Sequence, residues 1–102
     1  MPADKIQVRL LRIAEEDFTE IIKFIADDNP IAAESIANKI EKNLELLSDN
    51  LNLGRMPRDE EIKNLGYRYI IVQNYIIFYT IEERTILIHR ILHSARNYKS
   101  ML

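Results

Sequence analysis

Apolar residues recur along this chain in two different periods, and the change from one to the other organises it. Lys5-Ile6-Gln7-Val8-Arg9-Leu10-Leu11-Arg12 alternates roughly and is rich in branched apolar side chains, which predicts a first strand. Phe18, Ile21, Ile22 and Ile25 then follow at helical spacing, with Glu15, Glu16, Asp17, Glu20 and Lys23 assigned to the opposite face. The acids at the start of this segment suit a helix N-terminus, where the backbone dipole favours negative charge. Asp27-Asp28-Asn29-Pro30 ends that helix and begins another: Asn29 is placed to cap, and Pro30 falls at the first helical position, where a missing N–H costs nothing. Ala33, Ile36, Ala37, Ile40, Leu44 and Leu47 form the stripe of the second helix, which should end near Ser48 to Asn50. Helices joined by so short a turn must run back to back, since neither can bury its stripe alone.

Leu51 to Arg58 reads as a loop, with Gly54 available for a positive φ and Pro57 preventing regular structure. After a charged stretch from Asp59 to Lys63, the period becomes that of strands. Tyr67 to Gln73, Tyr75 to Ile81 and Thr85 to Leu92 are β-rich runs separated by Asn74 and by Glu82-Glu83-Arg84, an antiparallel meander. The tail from Ser94 to Leu102 is expected to form a short helix or an arm. The order is that of an α+β fold: an N-terminal strand, a helical hairpin, then three antiparallel strands, with the helices on one face of the sheet. Both parities of the last strands are apolar, for instance Ile76 and Phe78 against Tyr75, Ile77 and Tyr79, so the second face needs cover as well. A bound partner would supply it, or the sheet would curl over its own tail.

Length adds that residues 1–102 make one domain, with no room for a second core. A composition that is 47% hydrophobic and 29% charged belongs to a globular chain. There is no cysteine, which excludes disulfides and thiolate metal sites. Met1 to Lys5 is polar, and no apolar run has membrane-spanning length, so no membrane role and a cytoplasmic location are expected. The net charge of −2 argues against a surface that grips nucleic acid all over. That average hides an asymmetry: residues 1–53 hold six Lys/Arg against eleven Asp/Glu, and residues 54–102 hold eight against five. An acidic partner or anionic ligand would therefore meet the second half.

The full pattern resembles the RelE/ParE toxin superfamily. The residues that carry the resemblance are Phe18 to Ile25 followed by Asp28 to Ala33, the Gly54-Arg55 step, Tyr67-Arg68-Tyr69, Asn74 to Tyr79, and Ile88 to Tyr98. The resemblance implies the toxin of a type II toxin–antitoxin pair, neutralised by a cognate antitoxin that wraps it and covers exposed apolar surface, in a complex that can be a heterotetramer. Two actions exist within the fold. A RelE-like toxin cuts mRNA on the ribosome without metal, and for that chemistry His93 and Tyr98 are the acid–base candidates, with Arg68, Arg90 and Arg96 as phosphate clamps. A ParE-like toxin inhibits DNA gyrase by binding. The ending Arg90 to Tyr98 is more similar to this branch and its plasmid-stabilisation relatives, and a pI near 5.7 departs from the basic character of ribosome-docking nucleases. A harmless structural or adaptor domain is the reading of a different class.

Several candidates also have purely structural roles open to them. His89 and His93 share a strand parity but stand about 13 Å apart, too far to share one metal ion, and neither metal nor cofactor is expected. Arg90 falls on the opposite parity and cannot act beside His93 without a bulge; its other role is an ion pair. A hydrogen bond that orders the tail suits His93. Arg55 could clamp a phosphate or cap the carbonyls of the second helix. The tyrosines suit packing better than base stacking, except Tyr98, which as an exposed tail aromatic is expected to contact the target.

Overall fold

The structure, a computed structural model, describes residues 6–102. Lys5, where the expected first strand began, lies outside the described residues. Strand β1 (Gln7–Leu10) leads through the single residue Leu11 into α1 (Arg12–Asp28), and α2 (Pro30–Asp49) follows across Asn29 alone. The Asn29 side chain accepts from Ala32 N at 3.1 Å, as its position before Pro30 predicts. A 3-10 turn (Leu51–Leu53) and a short helix α3 (Glu60–Asn64) precede β2 (Arg68–Val72), β3 (Tyr75–Glu82) and β4 (Thr85–His93), and a second 3-10 turn (Tyr98–Met101) occupies the tail. The charged stretch before β2 is thus a helix, one whose Asp59 cap accepts from Ile62 N. Helix α1 starts six residues before Phe18, because Leu11 still belongs to the sheet ladder through its N–H to Ile88 O.

The sheet order is β1-β4-β3-β2, with β1 parallel to β4 and the remaining pairs antiparallel. The helical hairpin covers one face, which buries Ala14 of α1 and Ile40 and Leu47 of α2 against Ile70, Val72, Ile77, Tyr79, Ile86, Ile88 and Ile91. One helical layer on one sheet gives a flat molecule, 43 × 35 × 21 Å. Both hairpin turns have two residues, and Gln73 and Glu83 each carry φ +56° at the first position, the handedness that tight antiparallel turns require.

Strand β4 departs from a regular ladder in two places. Tyr79 pairs with Ile88 and Phe78 with Arg90, so His89 is an extra residue in a bulge, and both His89 and Arg90 fall on the face away from the helices. Pairing with β1 ends at Ile88, which leaves the edge of β4 open beyond that point.

Gly54 does not use the positive φ expected of it; its φ is −78°. Its requirement is space. A Cβ there would collide with the Tyr79 hydroxyl, to which the Gly54 N–H donates at 3.0 Å. Burial pushes the Tyr79 hydroxyl pKa up, against the pull of the Gly54 N–H.

Candidate functional site

Asp17 does not lie on a solvated face. It shares the buried stripe of α1 with Ala14 and Ile21, three and four residues away, and is 8% exposed. Its carboxylate reaches the open edge of β4 and accepts from Ile91 N at 3.0 Å, from Arg90 Nε at 2.8 Å and from Arg90 Nη2 at 2.9 Å. Arg90 can wrap to it from the outer face because β1 no longer blocks that edge, and its Nη1 also donates to the Met101 carbonyl of the tail. Hydrogen bonding and charge from Asp17 raise the Arg90 pKa above its ordinary value. The guanidinium is therefore committed to a bidentate ion pair.

A groove of about 440 Å³ opens beside this pair, between α1 and the end of β4. His93 and Arg96 line it together with Glu20, Phe24 and Tyr75. The His93 ring packs edge-on against Tyr75, and its Nδ1 accepts from Ala95 N at 3.1 Å, which orders the first turn of the tail. The Arg96 side chain is exposed and donates to Met101 Sδ at 3.8 Å, while its backbone N–H donates to the His93 carbonyl at 3.0 Å. Phe24 is 78% exposed. The groove thus offers one exposed cation, one imidazole, one carboxylate and a bare aromatic ring, a set suited to holding a protein surface.

Tyr98 lies on the other side of the sheet and is not an exposed aromatic. Its ring sits 4.9 Å from Phe78, which is 1% exposed, and the tail is further tied by Lys99 to Asp59 and Glu61. The backbone N–H of Ile62, then Lys99, hold the Asp59 carboxyl below its usual pKa. The sheet therefore closes over its own tail at this point. A smaller pocket of about 160 Å³, lined by Arg58, Tyr69, Ile71 and Tyr98 among others, remains there. Arg68 is half-buried with Nη1 3.4 Å from the Gly54 carbonyl. Arg55 does not cap α2, whose end is closed by Asn50 N–H; its backbone pairs with Tyr69 and its side chain is exposed.

A family model for the ParE toxin of type II toxin–antitoxin systems, parDE, matches residues 8–98. The chain belongs to this family. Among solved structures, the chromosomal ParDE system from P. aeruginosa is similar with a TM-score of 0.73 at 18% identity, covering 88% of this chain and 97% of that one. The toxin–antitoxin complex RelBE2 from Mycobacterium tuberculosis gives 0.60 at 22% identity, covering 90% and 94%. The YoeB dimer from Staphylococcus aureus gives 0.60 at 18% identity, covering 87% and 97%. A search of curated proteins returned no match.

In this ParE-family toxin, the candidates named from sequence separate into groups. Arg90, His93 and Arg96 meet at the α1–β4 groove; Tyr98 belongs to the outer face; Arg55 and Arg68 stand at β2. Sequence reasoning placed Asp17 on the wrong face, although its spacing from Ala14 and Ile21 is the signal that reveals it. It also gave His89 no role. The bulge directs that imidazole to Thr80 Oγ1 at 2.9 Å and Tyr67 Oη at 3.4 Å, and burial lowers its pKa against the opposing charge of Glu82. Among the described residues, no three His, Asp or Glu gather as a metal site, and no helix is long and apolar enough to cross a membrane.

Proposed function

We propose that this ParE-family toxin arrests growth in the cytoplasm by binding DNA gyrase, without cleaving a substrate, and that a cognate protein antitoxin neutralises it in a heterotetramer. The observation that carries the reading is the separation of its acid–base candidates. His93 opens into the α1–β4 groove on the helix side, whereas the Tyr98 ring is packed on Phe78 across the sheet, and Arg90 is held by Asp17. Metal-free RNA cleavage needs base, acid and free cations around a single phosphate. Binding needs only an accessible surface, which Arg96, Phe24 and His93 supply. The antitoxin half of the reading draws on the similar structures, which include the toxin–antitoxin complex RelBE2 and a YoeB–YefM complex.

The test is to induce the chain in bacteria without an antitoxin and to follow transcript integrity and plasmid supercoiling in parallel from the first minutes. Growth arrest with intact transcripts and altered supercoiling or trapped DNA breaks is expected. Rapid cleavage within translated regions at normal supercoiling would replace the reading with the RelE-like one, and harmless expression of folded protein would remove toxicity altogether.

A further inference from the structure

Beyond Tyr69 the outer edge of β2 carries backbone groups that no described residue bonds. In the sheet order β2 is terminal, so its outer side has no neighbouring strand among the described residues. Tyr69 turns both its N–H and its C=O outward to Arg55, at 3.0 and 2.8 Å. Backbone groups alternate sides along a strand, so Ile71, two residues on, also turns both outward. Nothing among the described residues bonds them, since the chain dips beneath the sheet at Gly54 to meet Tyr79. Ile71 is 51% exposed, on an edge that a lone chain should blunt.

Two pockets flank this edge and share Tyr69 and Ile71 as walls. The outer one is the Arg58–Tyr98 pocket; the other, of about 250 Å³, lies on the helix side and is lined by Leu46, Leu53 and Arg55. Successive residues of an added strand point to opposite faces. One would enter the outer pocket and the next the helix-side pocket, against Leu46 and Leu53, which are 45% and 42% exposed. Each pocket has one guanidinium at its rim, and neither the Arg55 nor the Arg58 side chain has a hydrogen bond or ion pair to any described residue.

We propose that the β2 edge beyond the Arg55 bridge is a docking site for an extended, acidic segment of a partner protein, which pairs with the Ile71 backbone, places successive apolar side chains in the two pockets and sets carboxylates against Arg55 and Arg58. Only the identity of the partner rests on the antitoxin reading above. The edge, its register and its charge preference do not.

The probe is a fluorescent peptide of about eight residues, one strand's length, in which a central Val-Leu pair, one side chain for each face, is flanked by Asp and Glu, titrated against the full chain by fluorescence anisotropy. Saturable binding that weakens with salt is expected, with a loss of about tenfold or more for Arg55→Glu and Arg58→Glu. Ile71→Pro removes the outward N–H while keeping the β2–β3 bonds, and should abolish binding. Should that variant fail to fold, the peptide supplies the same test: N-methylation of one alternate set of its amides should abolish binding, and of the other set leave it. Equal effects of the two sets, indifference to both arginine substitutions, or amide shifts mapped to the α1–β4 groove would overturn the proposal. So would displacement of the peptide by a single-stranded RNA oligonucleotide, which would make the outer pocket a base site, or a dimer of the chain that Ile71→Pro dissolves, which would make the occupant a second copy. Growth arrest is read separately, so a failed peptide test leaves toxicity standing and a failed arrest test leaves the edge site standing.

Discussion

Removing the carboxylate of Asp17 leaves three donors without their acceptor: Nε and Nη2 of Arg90 and the N–H of Ile91. Both side chains of the pair are largely withdrawn from water, so the abandoned guanidinium cannot be fully rehydrated in place. Asp17→Ala should therefore lower unfolding free energy by about 3 kcal/mol, the scale for breaking a buried pair, as read from urea denaturation; a midpoint within error of the parent would show that the pair contributes nothing. His89 gives a pH dependence of definite sign. Its folded pKa lies below the unfolded value of 6.5, so its contribution is fully present above that pH. As pH falls, the unfolded chain takes up a proton that the folded chain refuses, and stability drops. His89→Gln should flatten the stability profile just below pH 6.5, and an unchanged profile would assign the dependence to other groups.

At the scale of elements, the link from α2 into the sheet depends on Gly54. Its Cβ-free approach lets Tyr79 Oη accept its N–H, which brings the loop to the edge of β2. Gly54→Ala should cost about 1–3 kcal/mol through overpacking and lower the melting temperature; an unaffected melt would mean that the loop moves aside freely. The elements themselves were legible from the sequence wherever a local rule sets them. The Asn29-Pro30 boundary, the stripe of α2 and the three final strands follow from capping and periodicity alone. Positions set by distant partners were not. Gly54 answers to a ring 25 residues later, and Asp17 looks like a helix-start acid until β4 is known to lose its neighbour after Ile88. Tyr98 gave no local sign that it would pack on Phe78. Helix α3 is a single capped turn, too short for a period to show.

For the molecule as a whole, the fold class could be read from element order, but the grouping of site residues could not. His93 and Tyr98 are five residues apart in sequence and on opposite faces of the sheet, because the tail turns back over the outer side. That division is what favours a binding toxin. Arg96, exposed at the groove rim, belongs to the proposed working surface, whereas Glu41 lies exposed on α2 away from it. Arg96→Ala should relieve growth arrest by about tenfold or more in surviving colonies, on the scale of one lost interfacial contact, and Glu41→Ala should leave arrest intact. Equal toxicity of the two would move the working surface elsewhere.

The most direct measurement is to add the purified chain to DNA gyrase and relaxed plasmid and to score ATP-dependent supercoiling against protein concentration. A dose-dependent loss of supercoiled product, weakened by Arg96→Ala, is the predicted result. Full supercoiling at every concentration, with the same preparation cutting mRNA on ribosomes, would contradict the binding-toxin reading at its centre.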